Sequence, residues 1–166
     1  MDLSKKERLI LRNQLKILEE LEPEEAEYYR KTRKAIEKGF SLHYEPKVLL
    51  YEEMSEEECR EVINILNMYR ALTFSYKNLD DKSEIEEVKI EFPGFDGNNE
   101  TKQLAYAEYF MNDLDRFAEL RDDSDYPDYN SHSRRLEQYR RMLNEWNAIG
   151  NKHELSKEEI IRLINA

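Results

Sequence analysis

The segment that most limits the fold spans residues 55–79, SEEECREVINILNMYRALTFSYKNL. Ser55 and Glu58 have the spacing of a capping box, in which serine hydroxyl and glutamate carboxylate each take up one free amide of a helix start. Glu56, Glu57 and Glu58 add the negative charge that a helix N-terminus favours. Beyond them, Val62, Ile63, Ile65, Leu66, Met68, Tyr69, Leu72, Phe74, Tyr76 and Leu79 are too many for one stripe. Arg60, Asn64 and Asn67 make one narrow polar edge. A helix apolar around most of its circumference belongs inside a core or a subunit interface. The expectation is a mainly all-α, single-domain protein of about six helices, with at most a small two-stranded β-ribbon.

The rest of the chain supplies the other helices. Ser4 and Glu7 repeat the box ahead of residues 4–21, where Ile10, Leu11, Leu15, Ile17, Leu18 and Leu21 form a broad apolar face. Pro23 ends that helix and opens another, which carries Ala26, Tyr29, Arg33 and Ile36 and stops at Gly39. Phe40, Leu42 and Tyr44 alternate with polar residues, as do Val88, Ile90 and Phe92, and each run reads as a short strand. The turn PGFDG at 93–97 precedes a helix over roughly 99–120, which Asp96 or Asn98 can cap. An exposed acidic loop at 122–132 leads to a helix over 134–149. The last helix starts at Ser156, boxed by Glu159, with Leu155 placed to staple onto Ile160. Its apolar end, Ile161, Leu163 and Ile164, must dock on something.

Charge excludes several roles. The 166 residues hold 26 basic and 37 acidic side chains, a net −11. Nonspecific binding to nucleic acid or anionic lipid needs the opposite sign. Arg134, Arg135, Arg140 and Arg141 are the notable basic cluster and read as the solvated face of a helix. The lone Cys59 excludes an internal disulfide and reads as a small buried hydrophobe. No apolar run approaches a bilayer-spanning length, and the N-terminus lacks a signal-peptide pattern. A soluble, cytoplasmic protein is expected, with no membrane partner and nucleic acid disfavoured.

Chemical motifs are few. Calcium-loop alternation opens at Asp96 and at Asp123 but fails at later ligand positions in both. His43, His132 and His153 are scattered, and there is no nucleophile elbow or phosphate loop. No metal, cofactor or catalytic residue is therefore assigned. The nearest polar-aromatic constellation is Tyr139, Arg140, Arg141, Asn144 and Trp146. Its plain reading is two core aromatics beside surface arginines. Eleven tyrosines against one tryptophan suit core edges and subunit contacts alike.

Taken in order, these segments resemble the YfbU family of bacterial proteins. The resemblance runs over essentially the whole chain. It is carried by Arg8-Leu9-Ile10-Leu11 with Asn13-Gln14, Ala26-Glu27 with Tyr29-Arg30 and Gly39, and Met68-Tyr69 with Ala71-Leu72. Gly94-Phe95-Asp96, Tyr139, Arg141-Met142-Leu143-Asn144, Trp146, Leu155-Ser156 and Ile164-Asn165-Ala166 complete it. It implies a mainly helical, cytoplasmic, self-associating protein and no particular catalytic residues. The loop at 122–131 departs most from the pattern.

Two functional readings follow. The favoured one is a non-enzymatic homo-oligomer that contacts, and regulates, a protein partner. The alternative is an enzyme or small-ligand binder with a pocket between helices near Tyr139, Arg141, Asn144 and Trp146.

Overall fold

The computed structural model describes residues 2–44, 52–121 and 128–166. They fall into two compact units, Met1–Glu52 and Glu53–Ala166, each described by itself. Among the described residues the secondary structure is all-α, with seven α-helices and no sheet. None of these helices is long and apolar enough to cross a membrane.

The first unit is a helical hairpin. Ser4 caps α1 (Lys5–Leu21) through both bonds of the box, Ser4 N–H donating to Glu7 Oε2 at 2.7 Å and Glu7 N–H to Ser4 Oγ at 3.3 Å. Pro23–Glu25 makes one 3-10 turn, and α2 (Ala26–Lys38) runs back along α1. Gly39 ends α2 at φ +80°, the left-handed conformation that suits glycine. The expected strand beginning at Phe40 is instead a 3-10 turn, Ser41–His43, closed by His43 N–H on Phe40 O at 2.9 Å.

The second unit is organised around α3 (Glu56–Asn78), whose capping box forms as read. Val62, Ile65, Leu66, Met68, Tyr69, Ala71, Leu72, Ser75 and Tyr76 are buried, while Arg60 and Asn64 mark the wet edge. Phe74, expected inside, is 46% exposed, and Cys59 is half-buried rather than buried.

The alternating run at 88–92 is not a strand. Glu87–Lys89 is a 3-10 turn that satisfies its amides locally, Lys89 N–H on Glu86 O and Ile90 N–H on Glu87 O. Ile90 and Phe92 still point inward and Val88 outward. Only the second half of the alternation therefore matches burial, and none of it forms a ladder.

The single helix expected over 99–120 is broken. The α4 helix (Thr101–Glu108) passes into a π turn, Tyr109–Asp113, and Asp115 and Phe117 take positive φ before α5 (Ala118–Arg121). The break turns Phe117 into the core, 5.8 Å from the Phe110 ring and 3.9 Å beneath the Arg70 guanidinium. Neither Asp96 nor Asn98 caps α4, whose N-cap is Glu100. The α6 (Leu136–Ala148) and α7 (Lys157–Ile164) helices pack on α3 and on each other, and Ile160, Leu163 and Ile164 dock the chain's end in the core. Of the expected acidic loop, 122–127 lie outside the described residues. Tyr129, just after them, is buried.

Candidate interaction surface

The residues singled out on α6 are parted by helical geometry. Tyr139 and Trp146 lie seven apart and turn inward, whereas Arg141 and Asn144 fall on the exposed side. Tyr139 is fully buried, its ring 5.5 Å from Tyr69 and 5.5 Å from Phe95, and its hydroxyl donates to Gly94 O at 2.6 Å. Burial pushes its ionisation well above the ordinary tyrosine range. Trp146 spends its indole N–H on Lys152 O at 2.9 Å. Arg141 donates to Glu137 O within its own helix, at 3.4 Å. The structure thus brings the two aromatics into the core and leaves the two polar residues on the surface. Neighbouring Arg140 grips Glu61 through two bonds, at 2.7 and 3.1 Å. A cleft of about 260 Å³ opens elsewhere in the same unit, lined by Thr73, Tyr76, Lys82, Ile90, Phe92 and Leu120 among others.

Sequence reasoning missed what fixes the second unit's polar interior. Buried Glu100 accepts from the amides of Arg135 and Leu136 at 2.9 and 2.8 Å, capping α6 from 35 residues away. Its other oxygen takes the Asp96 N–H at 3.0 Å. Beside it, Phe95 N–H donates to Tyr129 O at 2.9 Å and Ser131 N–H to Phe95 O at 3.1 Å. Gly94 stands at φ +84°, and a Cβ there would lie 1.7 Å from Tyr129 O. These groups are spent on each other, so they act as scaffold.

A different arrangement holds the first unit. Arg33 of α2 forks onto Glu19 of α1 at 2.7 and 3.3 Å and also reaches Glu37 at 3.1 Å. Arg12 meets Glu37 at 3.2 Å, and Arg8 donates to the Ile36 and Glu37 carbonyls at 2.9 and 3.0 Å, at the end of α2. The arginines hold the Glu19 and Glu37 carboxyls below the ordinary carboxylate range, and Glu19 in turn raises Arg33. A charged seam thus joins the two helices, with Leu11, Leu15 and Leu18 half-buried beside it.

The broad apolar face expected of α1 is therefore split in two. Leu11, Leu15 and Leu18 face the hairpin, whereas Ile10, Ile17 and Leu21 are 56%, 58% and 70% exposed. With Gln14 among them, the exposed set recurs at spacings of four, three and four, one line along the helix. Phe40 and Leu42, past the end of α2, are exposed as well. No residue of α1 is buried. The six residues read in the sequence as one broad face; which of them meet α2 depends on the second helix.

A family model described as the YfbU domain matches residues 1–166, and the chain belongs to that family. The description names a domain and not a reaction.

Proposed function

Within that family, we propose that this protein is a non-enzymatic, self-associating interaction protein whose contacts are made by the α1–α2 unit. One observation carries the reading: the line of Ile10, Ile17 and Leu21 is exposed on a helix none of whose residues is fully buried. Enclosing each such side chain stabilises an assembly by about 1.5–3 kcal/mol, so a stripe of them favours association. Exposed apolar residues clustered in this way mark contact surfaces, whereas scattered ones do not. Regulation of a protein partner is the role that fits a module whose buried Glu100, Tyr139 and Trp146 are engaged in holding the fold.

The alternative, a ligand pocket near Tyr139, Arg141 and Trp146, has weaker support. The Tyr139 hydroxyl and Trp146 indole N–H already bond backbone carbonyls. Native mass spectrometry separates the readings. Self-association predicts multiples of 20.1 kDa whose population rises with concentration. A strict monomer carrying a small bound mass contradicts it.

A further inference from the structure

The exposed stripe of α1 also carries a polarity. Lys6, Asn13 and Glu20 lie seven residues apart, all exposed, and flank the line of Ile10, Gln14, Ile17 and Leu21 along one side. The flank runs from positive through neutral to negative. The helix as a whole leans the same way, with Lys5, Lys6, Arg8 and Arg12 against Glu7 in its first half and Glu19 and Glu20 against Lys16 in its second. A parallel pair would put the two copies of this flank on opposite sides of the seam, so that neither Lys6 nor Glu20 meets the other flank's charge. An antiparallel pair does the reverse, opposing each cation to an anion twice, once on each side of a two-fold axis.

Resting on the proposed self-association, we infer that the occupant of this stripe is α1 of a second copy, laid antiparallel across a two-fold axis near Asn13. In that register Lys6 lies beside the partner's Glu20 and Ile10 beside the partner's Ile17, each contact made twice. Asn13 and Gln14 fall at the middle, where one polar layer in an apolar seam fixes alignment at some cost in affinity. Spacings of three and four between seam residues are those of helices that pack at a shallow angle, so the seam stays in register along the helix.

The charge pattern gives the test. In full-length protein, Ile17→Asp weakens the dimer by roughly tenfold or more, because a carboxylate enters the seam unpaired. Circular dichroism checks that the monomer keeps its helices. Lys6→Glu alone and Glu20→Lys alone each weaken association, and the two together restore it, with the salt dependence of an ion pair.

Orientation is read independently in a Cys59→Ser background. Spin labels on Lys6→Cys lie roughly 20 Å or more apart in the antiparallel dimer, since the helix rises 1.5 Å per residue. A parallel pair holds them about 10 Å apart. Close labels, or a double charge reversal that fails to restore binding, overturn the antiparallel pairing. An oligomer whose mass is unmoved by Ile17→Asp overturns α1 as the interface while leaving self-association standing. A wild-type chain monomeric throughout overturns the self-association itself.

Discussion

The two units solve the same problem to different degrees. The second encloses a continuous core running from Val62 to Ile164, inside which Glu100 and Tyr139 bond backbone groups. The first, among its described residues, buries only Ala35, Ile36 and Tyr44 of its apolar side chains. Its helices are joined by arginine–glutamate contacts, and its apolar stripe faces outward. Two helices have too little interior to enclose what α1 carries, and chains of this size usually lean on another element or subunit. The difference teaches that one unit encloses its apolar residues and the other leaves a stripe of them in water, the stripe on which the proposed self-association rests.

Substitutions sharpen that contrast, and the largest effects belong to the second unit. Gly94→Ala forces a methyl group into the Tyr129 carbonyl at a left-handed backbone position. It should cost more than about 4 kcal/mol, seen as collapse of the denaturant midpoint. Leu72→Ala opens a cavity beneath a fully buried side chain and should cost about 2–5 kcal/mol by the same measurement. Glu100→Ala strands the Arg135 and Leu136 amides and should cost about 1–3 kcal/mol. A midpoint unmoved by Gly94→Ala or Leu72→Ala would break the contrast from its strong side.

Acid should act on the first unit through its charged seam. Glu19 and Glu37 titrate below the ordinary range when folded. Their contribution is full above the unfolded glutamate value of about 4.3 and is lost as pH falls through the folded values beneath it. Helix signals of α1 and α2 followed by NMR on acidification should show this loss, and Arg33→Met should flatten it. The smallest effect comes last. Ile17→Ala should change the stability of dilute monomer by less than about 0.5 kcal/mol, because the side chain is already in water. A loss comparable with that of Leu72→Ala would mean that α1 has no free stripe.

Much of this was legible where the determinants are local. The boxes at Ser4–Glu7, Ser55–Glu58 and Ser156–Glu159 need only three residues of spacing, and all three form. The apolar circumference of α3 is likewise a property of one segment. The alternation of Val88, Ile90 and Phe92 misled because a 3-10 turn at 87–89 breaks the period, leaving Val88 in water while Ile90 and Phe92 are buried. The break after α4 carries no glycine or proline; Asp115 and Phe117 take positive φ because burying Phe117 outweighs local preference. Glu100 reaching to α6 was out of reach for a reason of distance, since nothing near Arg135 hints at a cap supplied from another helix. On α6, spacing of seven read Tyr139 and Trp146 correctly as core aromatics. On α1 the residues were visible and their division was not, because which stripe meets α2 depends on where Arg33 and Glu37 lie.

Hydrogen exchange measured against protein concentration tests the central claim most directly. If the first unit is completed by a second copy, the α1 amides gain protection as concentration rises, while those of α3 exchange at one slow rate throughout. Protection of α1 that is already complete in dilute solution and indifferent to concentration would contradict the account.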